Sequence, residues 1–295
     1  MKLLITGAHG QLGRGIIDAS QSKGCRVQAP SEEDLDITDL AKVDRIITDL
    51  QPDLVINTAA YTQVDKAETE EALAFKINKT GCTHLAQICA SNQIPLIHIS
   101  TDYVFDGQKD APYLETDPIS PLGVYGRSKA KGEIEIRTIL KEHIILRTSW
   151  LYGIHGQNFV KTMIRLATGQ KEIRVVADQY GSPTNATDLA RTILTLCDHL
   201  HSKPKINWGT YHYCGAGVIS WHTFAKKIME LTRLHGDAPT ATIEPVTTAD
   251  YPTRAARPVF SALDCSHIRK HFGISPQPWQ KSLEKTIRKL VAAPG

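Results

Sequence analysis

No run in these 295 residues approaches the ~20 consecutive apolar residues of a membrane-spanning helix. The opening stretch, MKLLITGAHG, breaks at Gly7. That is too early for a signal-peptide core, and the stretch reads as a strand entering a turn. Also missing is any C-x-x-C spacing: Cys25, Cys82, Cys89, Cys197, Cys214 and Cys265 are scattered. Such thiols exclude a disulfide framework, point to no metal site, and suit a reduced, cytoplasmic setting. There is no basic stripe. Lys and Arg number 34 against 31 Asp and Glu, spread along the chain for a net +3, so nucleic acid is not an expected partner. Internal repeats and low-complexity segments are absent too, which argues against a solenoid. What is present is globular: 41% hydrophobic and 22% charged residues, enough chain for one large core or two.

Short apolar runs alternate with longer amphipathic ones through the first half. KLLIT (2–6), CRVQA (25–29), LVINTAA (54–60), IPLIHIS (94–100) and IILRTSW (144–150) read as strands. Helices are expected at 11–23, near 39–50 and at about 70–92. Strands separated by helices predict βαβ units, and near-continuous apolar strands predict a parallel sheet covered on both faces. The fold expected is therefore α/β, a Rossmann-like doubly wound parallel sheet. After residue 150 the rhythm loosens. Loops at 176–186 and 246–258 are rich in Pro, Gly and Thr, with helices expected at 157–168, 186–200, 220–235 and 279–292. This predicts a nucleotide-binding domain over 1–150 and a smaller α/β substrate-binding region over 151–295. The boundary is soft, since elements of one half can pack on the other.

ITGAHGQLGRG (5–15) places Gly7, Gly10 and Gly13 directly after the first strand and into a helix. Glycine permits positive φ and close approach of a pyrophosphate, and the helix N-terminus offers free N–H groups. A dinucleotide is the expected ligand. An acid at the end of the second strand would hold the ribose 2′-OH of NAD and repel a 2′-phosphate. Ala29 and Pro30 stand there instead, with Glu32 and Glu33 beyond them. NADPH is therefore the expected cofactor, with NADH accepted as well. Asp36 and Ile37 are placed to bound the adenine, Asp36 having a helix or turn cap as its alternative role.

Two strands turn abruptly polar at their C-terminal ends, where a parallel sheet lines its ligand crevice. One ends in Ser100, Thr101 and Asp102, the other in Thr58, Ala59, Ala60 and Tyr61. The hydroxyl of Thr101 can hold a substrate oxygen, and the small alanines admit a flat ring or a phosphate. Just beyond lies VYGRSK (124–129). Of nine tyrosines only Tyr125 has a lysine, Lys129, four residues on. In a helix the two share a face. A phenol is a poor acid at neutral pH, and a nearby ammonium is expected to lower its pKa. The pair can then move a proton at a carbonyl oxygen while hydride reaches the adjacent carbon. Gln179, Tyr180 and Ser182 offer donors and acceptors to a sugar nucleotide, and Arg254 and Arg257 offer forks for its pyrophosphate.

These residues resemble the extended short-chain dehydrogenase/reductase family. TGAHGQLG and VYGRSK mark the family at large. STDYVFDG, RTSWLYG, DQYGSPT and the AARP segment (255–258) resemble its branch of dTDP-keto-sugar reductases over nearly the whole chain. The resemblance implies a catalytic set of Thr101, Tyr125 and Lys129, with Lys129 also bonding the nicotinamide ribose. It implies dinucleotide contacts from Gly10, Gln11, Leu12, Asp36, Ile37, Ala59, Ala60 and Tyr61, and sugar contacts from Thr101, Asp102 and Trp150. The reaction implied is reduction of the C4 ketone of dTDP-4-dehydro-6-deoxy-L-mannose to dTDP-L-rhamnose. Where some relatives carry an acid for a magnesium-linked dimer, this chain has Arg14 and Gly15, so no metal is expected. A homodimer stays open. The alternatives are a reductase or epimerase of another nucleotide sugar, or a non-catalytic regulatory subunit of the methionine adenosyltransferase type.

Overall fold

Residues 1–203, 205–236 and 241–292 are described by a computed structural model. β1 (Lys2–Thr6) carries Leu3, Leu4 and Ile5 fully buried. Each is worth about 1.5–3 kcal/mol relative to exposure. β2 (Arg26–Gln28) and β3 (Leu54–Asn57) pair with it in parallel on either side. β4 (Leu96–Thr101) follows β3, and β5 (His143–Thr148) follows β4. A sixth strand, Gly209–His212, closes the far edge against β5, also in parallel. The chain leaves β1 towards β2 and then returns to β3 on the other side. At that reversal the loops after β1 and β3 diverge and open a crevice.

The sheet is covered on both faces. Leu3, Ile5, Ile56 and Leu146 pack with residues of α1 (Gln11–Ser20) and of the helices Ala186–Ser202 and Ser266–Phe272. Leu4, Val55, Leu96 and Ile145 pack on the opposite face with α2 (Leu40–Leu50) and with the helices Gly81–Asn92 and Val124–Ile139. An apolar cluster of its own, including Val160, Phe224, Ile228, Trp279 and Leu283, holds the later region together. The strand Gly209–His212 and the helix Ala186–Ser202 thus lie beyond residue 150 in the chain yet belong to the main sheet layer. Substrate-region and sheet elements interleave there.

The helices expected at 157–168, 186–200, 220–235 and 279–292 appear as Phe159–Gly169, Ala186–Ser202, Trp221–His235 and Trp279–Ala292. The helix expected over 70–92 contains a wider π turn at Lys76–Thr80 between Glu71–Phe75 and Gly81–Asn92. Asn78, in that turn, accepts from the Tyr61 backbone N–H at 2.9 Å and donates to its carbonyl at 3.0 Å and to Ser128 at 2.9 Å. Widened turns of this kind gather at functional sites. Here the turn ties the loop after β3 to the helix that carries Tyr125.

Candidate active site

The glycine turn is built against the loop after β3. Gly7 has φ +66°, and a Cβ there would stand 2.5 Å from the Ala59 nitrogen. A Cβ on Gly13 would stand 2.5 Å from the Gly7 carbonyl oxygen. Only glycine fits at either place. Gly10 caps α1 without a side-chain hydrogen bond, and the first turn of α1 holds no acid. That exposed N-terminus is an uncapped, positive helix end, which suits a pyrophosphate. The side chains of Gln11 and Leu12 point elsewhere. Gln11 donates to the Leu151 carbonyl at 3.2 Å and accepts from Asn158 at 2.7 Å, while Leu12 lies in the core. Asp36 accepts from the Thr38 N–H at 2.8 Å, the turn-capping role left open above. Ile37 is buried beside it and Tyr61 donates to Glu70 at 2.7 Å.

Thr101 ends β4 and caps the short turn Asp102–Val104, accepting from the Tyr103 N–H at 3.2 Å. Its hydroxyl donates to Asp102 at 3.0 Å. Burial raises the Asp102 carboxyl to about 6. Tyr125 stands on the first turn of the helix Val124–Ile139, with Lys129 one turn further on. Burial pushes the Tyr125 phenol up to about 12, hydrogen bonding with the Thr101 side chain pulls it down, and the Asp102 charge raises it. The expected lowering by Lys129 is not what this arrangement produces. Lys129 is itself buried and donates to the Ile99 carbonyl at 2.7 Å, with His98 Nε2 at 3.2 Å. The lysine turns inward under the sheet. The phenol therefore keeps its proton across the neutral range, the form a proton donor needs.

A buried ion pair seats this helix. Arg147 of β5 forks onto Glu133 at 2.9 and 2.6 Å, and Ser100 donates to the same carboxylate at 2.5 Å. Burial raises the Glu133 carboxyl, but Arg147, Ser100 and Arg137 outweigh it and hold it below the usual range.

Beside the crevice opens a cavity of about 1010 Å³, lined by residues that include Tyr103, Phe159, Gln179, Trp221, Arg254 and Arg257. The Tyr103 ring, part of that lining, meets the ring of Tyr125 edge-on at 5.6 Å. Trp150 stacks on Trp221 at 3.5 Å and so backs the cavity wall. It holds φ +47°, a left-handed conformation that a tryptophan adopts only under constraint. Gln179 donates to Thr248 at 3.1 Å, Tyr180 stands exposed, and Ser182 lines a different, smaller cavity. The two arginines part company. Arg257 forks onto Asp65 at 3.0 and 2.7 Å, whereas Arg254 is exposed at the cavity. Phe159, Trp221, Asp65 and His98 escaped the sequence reading. A histidine inside the apolar run IPLIHIS was the one visible signal among them.

A glycine turn suited to a dinucleotide, beside Thr101 and Tyr125, makes this an oxidoreductase fold of the extended short-chain dehydrogenase/reductase type. The model of the family described as the RmlD substrate binding domain matches residues 1–292, and the chain belongs to that family. The chain is 43% identical to a dTDP-4-dehydrorhamnose reductase of Aggregatibacter actinomycetemcomitans, over 97% of this chain and 98% of that one. The structure of a dTDP-4-dehydrorhamnose reductase from Clostridium acetobutylicum is 40% identical with a TM-score of 0.92, covering 98% of this chain and 99% of the other. That of a dTDP-4-dehydrorhamnose reductase from Bacillus anthracis in complex with NADP is 37% identical with a TM-score of 0.90, at the same coverage. Among the described residues no helix is long and apolar enough to cross a membrane.

Proposed function

We propose that this chain reduces the C4 ketone of dTDP-4-dehydro-6-deoxy-L-mannose with NADPH, and with NADH as well, to give dTDP-L-rhamnose. The observation that carries this reading is the edge-on contact of Tyr125 with Tyr103, a ring that lines the 1010 Å³ cavity. A sugar nucleotide held in the cavity would bring its ketone to a protonated phenol. The glycine turn and the uncapped end of α1 would hold the pyrophosphate of the dinucleotide, and the loop Thr58–Tyr61 its nicotinamide side. When bound, NADPH supplies the hydride that adds to C4. Tyr125 gives its proton to the carbonyl oxygen, so the ketone becomes an alcohol and the phenol a phenolate. Thr101 orients that oxygen, and Asp102 lies beside it. Arg254 takes the pyrophosphate of the sugar nucleotide, and Trp150 supports the wall through Trp221.

A cytoplasmic enzyme without a resident metal fits this role, and self-association into a homodimer remains compatible with it. The alternative of a non-catalytic regulatory subunit is disfavoured by the intact Thr101, Tyr125 and Lys129. The test is direct. Incubation with the dTDP-keto-sugar and NADPH, followed by NMR of the product, should yield dTDP-L-rhamnose. No turnover, together with a stoichiometric synthetase partner in a pull-down, would reverse the reading. A product with another configuration at C4 would reassign the substrate.

A further inference from the structure

We propose that Cys214 and Cys265 form a reversible oxidation site, a thiol pair that a small hydroperoxide converts to a disulfide. The site is separate from the reaction proposed above, and neither cysteine lines the large cavity.

The two sulfurs lie 3.7 Å apart, although 51 residues separate them along the chain. Cys214 follows the edge strand Gly209–His212, and Cys265 directly precedes the helix Ser266–Phe272. Backbone hydrogen bonds fix the chain around both. The Tyr213 N–H donates to the Arg147 carbonyl at 2.9 Å, and the Ala216 N–H to the Gln277 carbonyl at 2.8 Å. On the other side the Asp264 N–H donates to the Tyr113 carbonyl at 2.8 Å. Both sulfurs also sit near one acceptor, the Leu263 carbonyl, at 3.5 and 3.9 Å. The contact is therefore held by the fold, and side-chain rotation is left to close the gap to the ~2.05 Å of a disulfide. An oxidant has a way in. Cys214 is 3% exposed and Cys265 partly exposed, and both line a cavity of about 270 Å³ together with Ser182, Asp264 and Arg269. Hydrogen peroxide is little larger than water and fits there.

A thiolate is the reacting form, and a sulfur that receives hydrogen bonds is the easier one to ionise. Hydrogen bonding with Cys265 holds the Cys214 thiol below its ordinary value; Ser182 acts in the same sense, against burial and the Asp102 charge. The same bond, with burial, pushes Cys265 up. The other buried thiols, Cys82, Cys89 and Cys197, are raised by burial and have no such help from a second thiol. The chemistry closes in two steps. The Cys214 thiolate attacks one peroxide oxygen and the O–O bond breaks. A sulfenic acid forms, and the hydroxide that leaves takes up the proton Cys214 had lost, giving water. Cys265 then attacks the Cys214 sulfur. The S–O bond breaks, the Cys265 proton joins the departing hydroxide, and a second water leaves. Two thiols are oxidised, and one hydroperoxide is reduced. In a reducing compartment a disulfide is transient, so the site returns to thiols once the oxidant is spent.

The test uses the full chain, unsubstituted and fully reduced, then exposed near neutral pH to a small excess of hydrogen peroxide. Remaining thiols are blocked with iodoacetamide, the protein is digested without reductant, and the peptides are weighed by mass spectrometry. Cys25 is the internal control. It is also partly exposed, but its sulfur meets the Lys23 carbonyl at 3.8 Å and not a second thiol. The expected product joins Cys214 to Cys265 within one chain, forms before Cys25 is modified, and is undone by dithiothreitol. Recovery of both residues as blocked thiols overturns the proposal. So does unlinked sulfinic acid at either, a link between two chains, or prior oxidation of Cys25. Cys265→Ser then tests the order of attack. The serine hydroxyl can still donate to Cys214, but no second thiol remains to displace the hydroxide. Oxidation should stop at a sulfenic acid on Cys214, trapped by dimedone. A free thiol at Cys214 in the folded variant overturns its assignment as the attacking sulfur. Should the variant not fold, the result on the unsubstituted chain decides the site by itself. No keto-sugar or NADPH enters either measurement, so the outcome is independent of the proposed reaction.

Discussion

The glycine crevice and the large cavity beside it are built by opposite means. The crevice is made of backbone: Gly7 against the Ala59 nitrogen, Gly13 against the Gly7 carbonyl, and an uncapped helix end. Its residues are close in sequence or sit at the ends of adjacent parallel strands. The cavity is made of side chains that meet from far apart, such as Arg257 on Asp65, 192 residues away, and Trp150 on Trp221. A backbone site accepts what every dinucleotide shares. A side-chain site can discriminate one sugar from another.

The comparison can be broken most severely at the buried frame that both sites lean on. Glu133→Ala leaves Arg147 charged and buried, and should cost about 3–5 kcal/mol of folding stability. Urea unfolding measures it. A loss below about 1 kcal/mol would mean that the helix carrying Tyr125 does not depend on that pair. Next in size is Tyr125→Phe, which removes the phenol and little volume. kcat should fall roughly 10²-fold or more while NADPH still binds. Activity within a factor of about two or three of the parent would end the assignment of Tyr125 as proton donor, since general acid catalysis is worth far more.

The cavity side yields smaller effects. Arg254→Ala should weaken kcat/KM for the keto-sugar by about 1.5–3 kcal/mol, the range for hydrogen bonds to charged groups, with NADPH affinity intact. Arg257→Ala should act differently, because its fork already holds Asp65 and steadies the 254–257 loop. If the two variants behave alike, the division drawn between them fails. Smallest is cofactor choice. With Ala29 and Pro30 at the end of β2, NADPH should be used at least as readily as NADH. A preference for NADH above roughly tenfold, ~1.4 kcal/mol, would show that an acid folds back on the ribose.

Some of this was readable before any coordinates. KLLIT, LVINTAA and IPLIHIS are strands because a sheet covered on both faces demands unbroken apolar runs. The strand Gly209–His212 was missed for the complementary reason. GTYH lies at the sheet edge, and its short mixed run does not announce a strand. The pairing of Tyr125 with Lys129 on one helix face was legible from spacing, but the direction of the phenol's shift was not. Spacing says that two groups can meet, and burial decides whether they do. Tyr180 and Gln179 are adjacent in the chain, yet only Gln179 joins the cavity lining.

By itself, then, the sequence determined the α/β alternation, the glycine turn and the polar strand ends. These follow from local periodicity, from the steric freedom of glycine and from the geometry of parallel sheets. Only the tertiary structure decided that Lys129 turns inward to His98, that Asp65 occupies one arginine and leaves the other free, and that Trp150 acts through Trp221. Burial and hydrogen-bond direction belong to neighbours in space, and those neighbours lie tens to nearly two hundred residues apart along the chain.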